Sequence, residues 1–211
     1  MKIICIARNY SLHAAEMGAP QFQRGSREAV SPAFFLKPDT ALLASGEEFH
    51  YPTFSHEVDH ELELVVRIDR ESSSILEEQA TQYYSKVTVG IDFTARDLQR
   101  EAKAKGLPWT LSKGFDGSAA IGKFVSIDEL GSDVQSLHFA LMLNGNIVQQ
   151  GCSADMLCPV NRMIAYLSTY ITLQAGDLIY TGTPAGVGSI ASGDTLTAYL
   201  EGRELLNCKV V

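Results

Sequence analysis

Apolar and polar positions alternate at period two through much of this chain, the spacing that turns one face of a strand toward a core. It opens on the apolar run KIICIA, followed by a short helical stretch, RNYSLHAAEMG, that Gly18 can close. The next segment, APQFQRGSREAVSP, has Pro, Gly and Ser without periodicity and reads as a mobile loop, so helix and loop together suggest a lid. Strand character resumes in AFFLKP and ALLASGEEFHYP. In FSHEVDHELELVV, residues 54 to 66, a strand places Glu57, Asp59, Glu61 and Glu63 on one face and His60, Leu62 and Leu64 on the other. The pattern then predicts a helix over 76–85, a strand in KVTVGIDF, and a second helix with Thr94 as N-cap, Asp97 completing a capping box and Gly106 just past its end. Lys103 and Lys105 fall in its last turn, where cations suit the helix dipole. Asn-Gly within HFALMLNGNIVQQG predicts a hairpin, PVNRMIAYLSTYI a helix after Pro159, and the remainder strands around the glycine-rich TGTPAGVG. Strands outnumber helices, which predicts one β-rich α+β domain over residues 1–211.

Composition narrows the function. An apolar share of 45% with 20% charged residues is that of a globular protein, and no run approaches the roughly 20 apolar residues of a membrane span. A formal charge of -8 argues against a grip on nucleic-acid phosphates. Cys5, Cys152, Cys158 and Cys208 lack zinc-site spacing, and nothing at the N-terminus reads as a signal peptide, so reduced thiols in a cytoplasm are expected.

The acidic strand is the chemical feature. Carboxylates two residues apart on one face lie about 7 Å from each other and repel by roughly 2 kcal/mol at an effective dielectric near 20. Either the face is exposed and screened, or a divalent cation with oxygen ligands offsets the repulsion. Asp92, at the end of the next strand, supplies a third carboxylate, although an Asp there can equally serve the dipole of the following helix. His13 and Glu16, three apart in HAAE, share a helix face, so the carboxylate can orient the imidazole; such pairs are also common on surfaces. Lys113 in LSKGFDG suits either a solvated loop or an oxyanion stabiliser. TGTPAGVG lacks the ending of a phosphate loop, which leaves a small carboxylate held by the Thr181 and Thr183 hydroxyls, or a tight turn.

Taken in order, RNYSLHAAE, FFLKP, HELELVV, GIDFTARDLQ, KGLPWTLSKGFD and TGTPAGVG resemble the fumarylacetoacetate hydrolase family, in particular its short acylpyruvate hydrolase-like members. The resemblance implies a mixed β-sandwich roll of the family's C-terminal domain type, Mg²⁺ or Mn²⁺ held by Glu61, Glu63 and Asp92, and a homodimer. It implies that His13 and Glu16 belong to a segment that orders over substrate, that Lys113 is the family's active-site lysine, and that Thr183 is its threonine in the glycine-rich turn. Arg8, Arg96 and Gln99 match substrate-side or supporting positions, with a pairing of Arg96 to Asp92 as the other reading. Glu57 and Asp59 have no matching role and are assigned to a solvated approach to the strand; His60 is structural. Cys152 and Cys158 depart from the usual residues and are expected near the pocket wall. The expected reaction is hydrolysis of a carbon-carbon bond in a 2,4-diketo acid, with His13 as base, Glu16 orienting it, and Lys113 with Gln99 on the oxyanion. Decarboxylation of oxaloacetate, or decarboxylation and isomerisation in aromatic catabolism, on the same metal platform, and a noncatalytic divalent-cation or ligand-binding β domain, remain open alternatives.

Overall fold

The computed structural model describes residues 1–16 and 31–211. The helix stop at Gly18 and the loop expected over 19–32, up to residue 30, lie outside the described residues. An eight-stranded sheet runs in the order β2 (Phe34–Lys37), β1 (Ile3–Ile6), β13 (Leu178–Tyr180), β6 (Leu62–Ile68), β7 (Tyr84–Asp92), β9 (Ala119–Ile121) and β3 (Leu42–Ala44), with β10 (Val125–Ser126) also paired to β7. A five-stranded sheet follows the order β12 (Asn146–Cys152), β11 (His138–Leu143), β15 (Thr195–Leu200), β16 (Arg203–Val210) and β4 (Glu48–Phe49). A three-stranded sheet joins β14 (Gly188–Ser189), β5 (Val58–His60) and β8 (Thr94–Ala95).

The alternation read from the sequence sorts the large sheet into two faces. Leu62, Leu64 and Val66 of β6, with Val87, Val89 and Ile91 of β7, turn into a main core shared with Phe139, Leu141, Leu196 and Leu206 of the five-stranded sheet. Helix α5 (Val160–Ser168) adds Met163, Ile164 and Leu167 to that core. The opposite face carries a smaller cluster that includes Cys5, Val65, Ala119 and Tyr180. Glu63 is in step with Val65, so it faces this second side.

Several local expectations are altered by tertiary partners. The acidic strand is two strands, because Glu61 falls at the break between β5 and β6. Residues 77–82 form a 3₁₀ helix, and β7 begins already at Tyr84, whose buried ring and hydroxyl bond to Asn161 (2.7 Å) hold it against α5. Helix α2 (Arg96–Lys105) ends at Gly106 with φ 65, as expected, but Thr94 does not cap it. Thr94 is a β8 residue opposite Asp59, and Asp97 accepts instead from the Ser55 hydroxyl (2.6 Å) and the His56 amide (2.9 Å). The hairpin turn holds both Asn144 (φ 51) and Gly145 (φ 81) in the left-handed region, which is what an Asn-Gly turn between β11 and β12 requires. Among the described residues no helix is long and apolar enough to cross a membrane.

Register brings the acids together. Leu62 pairs with Ile91 and Glu63 with Gly90, and the Asp92 amide donates to the Glu61 carbonyl (2.8 Å). Glu61 and Asp92 are therefore cross-strand neighbours, with Glu63 diagonal to Asp92. Gly90 leaves no side chain between them: a Cβ there would lie 2.6 Å from Tyr180 Cε1 and 2.8 Å from the Ala120 carbonyl oxygen. Tyr180 cannot easily retreat, because its hydroxyl donates to that same carbonyl (2.9 Å). Gly90→Ala is expected to lower the unfolding free energy by about 1–3 kcal/mol through overpacking. Urea denaturation checks this; an unchanged midpoint would show that the sheet relaxes freely there.

Candidate metal centre and base

Glu61, Glu63 and Asp92 are all buried, and each offers an oxygen within 4.8 Å of the others. At an effective dielectric near 20, unit charges that close repel by roughly 3 kcal/mol a pair or more. The protein supplies cations to two of the three. Lys113, at the end of the short helix α3 (Thr110–Lys113), donates to Glu61 Oε2 (2.8 Å), Asp92 Oδ2 (2.7 Å) and Thr94 Oγ1 (2.6 Å). Arg96, in the first turn of α2, donates to Glu61 Oε1 (2.6 Å), Asp59 Oδ2 (2.7 Å) and Gln99 Oε1 (2.6 Å). Burial alone would raise the Glu61 pKa, but Lys113 and Arg96 outweigh it and hold the carboxyl well below the usual range. The same carboxylates, Asp92 and then Glu61, outweigh burial in the other direction and raise Lys113 above an ordinary lysine.

Glu63 has no cationic partner among the described residues. It accepts one hydrogen bond, from the Gly182 amide (2.6 Å). Burial, then Asp92 and Glu61, push its pKa well above the usual carboxylate value. Asp92 Oδ1 is also left over. Lys37 Nζ lies 2.7 Å from it, yet that ammonium directs its hydrogen bonds to the Lys113 carbonyl (2.5 Å), the Ser118 carbonyl (2.8 Å) and the Ser118 hydroxyl (3.0 Å). The contact is one of charge, and Oδ1 is buried without a hydrogen-bond donor. An uncompensated Glu63 beside an orphaned Asp92 oxygen, in an all-oxygen donor set, fits a hard divalent cation such as Mg²⁺ or Mn²⁺.

His13, on α1 (Ser11–Glu16), opens into the same cavity as the three acids. Burial lowers its pKa, against the opposing pull of Glu61 and Glu16, so the imidazole is neutral at neutral pH. Its Nδ1 stands 3.6 Å from Glu16 Oε2, beyond hydrogen-bond length, and has no partner. Glu16 accepts instead from the Gly186 amide (3.1 and 3.3 Å). Both backbone donors come from the glycine-rich turn, where Gly182 (φ 100) and Gly186 (φ 95) have conformations that other residues rarely adopt. The turn thus holds protein carboxylates. The Thr181 hydroxyl, expected as a free donor, is spent on the Leu64 carbonyl (2.8 Å), whereas Thr183 lines the cavity and accepts from Gln149 Nε2 (2.9 Å).

The cavity is also lined by Arg8, Gln99, Arg96 and Lys113. Every residue to which the family resemblance gave a catalytic, substrate-side or metal role is therefore in it except Glu16, which approaches through Gly186. Arg96 pairs with Asp59 and Glu61, not with Asp92, and Asp59 is buried beneath it, so the solvated role expected for Asp59 is wrong. Glu57 does meet solvent, held by Arg100 (2.5 Å). His60 is structural as expected, its Nδ1 2.8 Å from Gln149 Oε1. Cys152 and Cys158 do not line the cavity. Sequence reasoning missed Lys37, whose only signal was a cation ending the apolar run FFLK. It also missed Phe35, Trp109 and Lys103, which form one wall: Phe35 and Trp109 meet edge to face at 6.0 Å, with Lys113 and Lys103 each 5.3 Å from one of the rings.

Lys37→Met removes the cation 2.7 Å from Asp92 Oδ1, leaving that buried oxygen with no positive charge against it, while the Lys113 and Ser118 carbonyls keep donors in the Ser118 hydroxyl and the Phe93 amide; the unfolding free energy is expected to fall by about 3–5 kcal/mol. Adding Asp92→Asn should restore part of the loss. Urea unfolding of both variants checks this, and a loss under about 1 kcal/mol would show that the Lys37 charge does not hold the site together.

A family model described as fumarylacetoacetate (FAA) hydrolase C-terminal matches residues 2–211. The mitochondrial oxaloacetate tautomerase of Rattus norvegicus is 37% identical over 99% of this chain and 90% of its own length. The oxaloacetate tautomerase of Escherichia coli is 37% identical over 97% of this chain and 90% of its own length. The crystal structure of fumarylpyruvate hydrolase from Pseudomonas aeruginosa, in complex with Mn²⁺ and pyruvate, superposes with a TM-score of 0.90 at 33% identity, covering 100% of this chain and 89% of that one. Sequence and architecture agree: the chain is an enzyme of the fumarylacetoacetate hydrolase family, with that family's β-rich fold.

Proposed function

We propose that the chain hydrolyses a carbon-carbon bond in acylpyruvate-type 2,4-diketo acids, small 2-oxo acids, yielding pyruvate and a carboxylic acid. Glu61, Glu63 and Asp92 are the residues that would hold Mg²⁺ or Mn²⁺. A cation of this kind supplies Lewis acidity and a template for oxygen ligands. The reading is carried by His13: a buried neutral imidazole, with no hydrogen-bond partner on Nδ1, opens into the cavity of the acidic triad. Decarboxylation needs no such base, whereas hydrolysis needs one to activate water.

The imidazole takes a proton from water as the water oxygen adds to the distal acyl carbonyl. Glu16 stabilises the resulting imidazolium by charge across its 3.6 Å gap. All three Lys113 protons are committed to Glu61, Asp92 and Thr94, so this lysine acts by fixing the acids and as a standing positive charge, not as the free oxyanion donor the sequence suggested. Gln99 is the better donor: its oxygen accepts from Arg96, and its amide nitrogen makes no hydrogen bond among the described residues. Collapse of the adduct breaks the carbon-carbon bond, and the proton held by His13 returns to the departing carbon, which becomes the pyruvate methyl group.

Tautomerisation or decarboxylation of oxaloacetate is the second reading, favoured by two relatives at 37% identity that carry the tautomerase name. Acetylpyruvate turnover with Mg²⁺ or Mn²⁺, abolished by EDTA, is the expected result; no turnover with either metal would sink the hydrolase reading. His13→Ala should lower kcat by about 10²- to 10⁴-fold while Mn²⁺ binding measured by calorimetry persists. Oxaloacetate turnover by the parent protein, beside absent acetylpyruvate hydrolysis, would select the second reading.

Because burial lowers the His13 pKa, the base is already deprotonated below the ordinary histidine value of about 6.5. The rate should therefore rise with pH and level off before that point. Glu63→Gln should remove the Mn²⁺-induced rise in Tm. It should also raise the Tm of the metal-free protein above neutral pH, since a carboxyl with a raised folded pKa loses stability as pH climbs through that pKa. A Mn²⁺ response equal to that of the parent protein would remove Glu63 from the ligand set.

A further inference from the structure

Gln149 does not line the cavity, yet its buried side chain, on β12, ties together two of the segments that do. Its oxygen accepts from the Leu62 amide (2.9 Å), between Glu61 and Glu63, and lies 2.8 Å from His60 Nδ1. Its nitrogen donates to Thr183 Oγ1 (2.9 Å) and to the Pro184 carbonyl (3.1 Å) in the glycine-rich turn. A backbone N–H only donates and a carbonyl only accepts, so one partner at each end has a fixed role and the amide has a single orientation. His60 therefore carries its proton on Nδ1, and the Thr183 oxygen is the acceptor in its bond with Gln149.

The direction of that bond decides what Thr183 can do. Its hydroxyl has one proton to give, and among the described residues the one acceptor in reach is the Pro184 carbonyl. That carbonyl is 3.4 Å away, beyond the usual O–H···O distance of about 2.7–2.8 Å, and already accepts from Gln149. The proton is thus left for the cavity, which Thr183 lines beside Glu61, Glu63 and Asp92. Both flanks of the hydroxyl are anchored. Strand β12 presses on the turn at Gly151, where a Cβ would lie 3.0 Å from Pro184 Cγ. On the other flank Asn9, next to Arg8 in its strained left-handed conformation (φ 61), donates to the Thr181 carbonyl (2.8 Å).

We propose that Gln149 is a positioning residue: by filling the acceptor side of the Thr183 hydroxyl and the competing Pro184 carbonyl, it presents Thr183 to the cavity as a donor to a carboxylate oxygen of the 2-oxo acid. Without Gln149 the Pro184 carbonyl lacks its donor and draws the hydroxyl proton away from the cavity. This rests on the 2-oxo acid reading above and adds a residue that acts without touching the ligand.

Pyruvate, which cannot undergo the hydrolysis, is the probe. Calorimetry in the presence of Mn²⁺ is expected to give a Kd about ten-fold higher for Thr183→Val than for the parent protein, the worth of one hydrogen bond to a charged group, whereas Thr183→Ser keeps the parent value. Gln149→Met should weaken pyruvate binding to a similar extent. The double variant should then bind within about two-fold of Thr183→Val alone, because the second substitution has nothing left to remove. Were Gln149 merely structural the two losses would multiply, and that result overturns the inference alone, as does an unchanged Kd in either Thr183→Val or Gln149→Met. If Gln149→Met does not fold, ¹⁵N NMR of the metal-free parent protein decides. His60 is expected as the Nδ1–H tautomer; the Nε2–H tautomer would turn the Gln149 amide round and overturn the inference. No binding of pyruvate by the parent protein with Mn²⁺ overturns the 2-oxo acid reading and this inference with it.

Discussion

The structure depends on keeping Glu61, Glu63 and Asp92 side by side in a buried site. Register alone would bring them together, but mutual repulsion of roughly 3 kcal/mol a pair would drive them apart or protonate them. The chain resolves this unevenly. Lys113 bridges two of the acids, Arg96 takes the free oxygen of Glu61, and Lys37 stands behind Asp92 while it holds the carbonyl of Lys113 in place. What remains is a deficit of positive charge at Glu63 and a lone Asp92 oxygen. A fully neutralised cluster would have been more stable without metal and would have had less reason to bind one.

The glycine-rich turn completes this division of labour. Its amides reach inward at two places, Gly182 to Glu63 and Gly186 to Glu16, so one loop fixes a carboxylate of the triad and the carboxylate beside the base. Side chains are excluded there on steric grounds: a Cβ on Gly182 would sit 2.7 Å from the Asn9 Cβ, and one on Gly186 would sit 2.5 Å from the Val148 carbonyl oxygen. Asn9 belongs to the strained turn that presents Arg8, so the two loops are packed as a unit. Backbone amides suit this task because they hold an anion without adding a competing charge.

How much of this was legible depended on sequence distance. The period-two pattern revealed Glu61, Glu63 and the opposite placement of His60, since strand geometry alone decides which side each residue faces. Helix α2 was legible at its C-terminal end, where Gly106 is a local necessity, and misread at its start, because the Thr94 hydroxyl is claimed by Lys113 nineteen residues later. Asp59 looked solvated because nothing local pairs with it; its partners are Arg96, 37 residues on, and Ser189, 130 residues on. Likewise the break at Glu61 follows from Gln149, whose side-chain oxygen accepts from the Leu62 amide and meets the His60 ring across 87 and 89 residues. Lys37 was the most consequential omission. A lysine ending an apolar strand reads as a solvated terminus, and only the fold shows it enclosed by carbonyls and Asp92.

The base and the triad are also coupled. Burial favours neutral His13, while Glu61 is the stronger of the two anions that favour its protonation, ahead of Glu16. Positive charge bound at the triad screens Glu61 and removes most of that opposition, leaving burial and the nearby cations Arg96 and Lys113 to keep the imidazole neutral. Loading the triad and deprotonating the base therefore favour each other, and by linkage the preference is reciprocal. Glu16 also favours the protonated ring, but Gly186 holds it outside hydrogen-bond reach, so it acts by charge alone and lies close enough to stabilise the cation once a proton has arrived. A shorter contact would have raised the resting pKa and filled the base with a proton before substrate could bind. The 3.6 Å gap is thus consistent with a base that must begin the reaction empty.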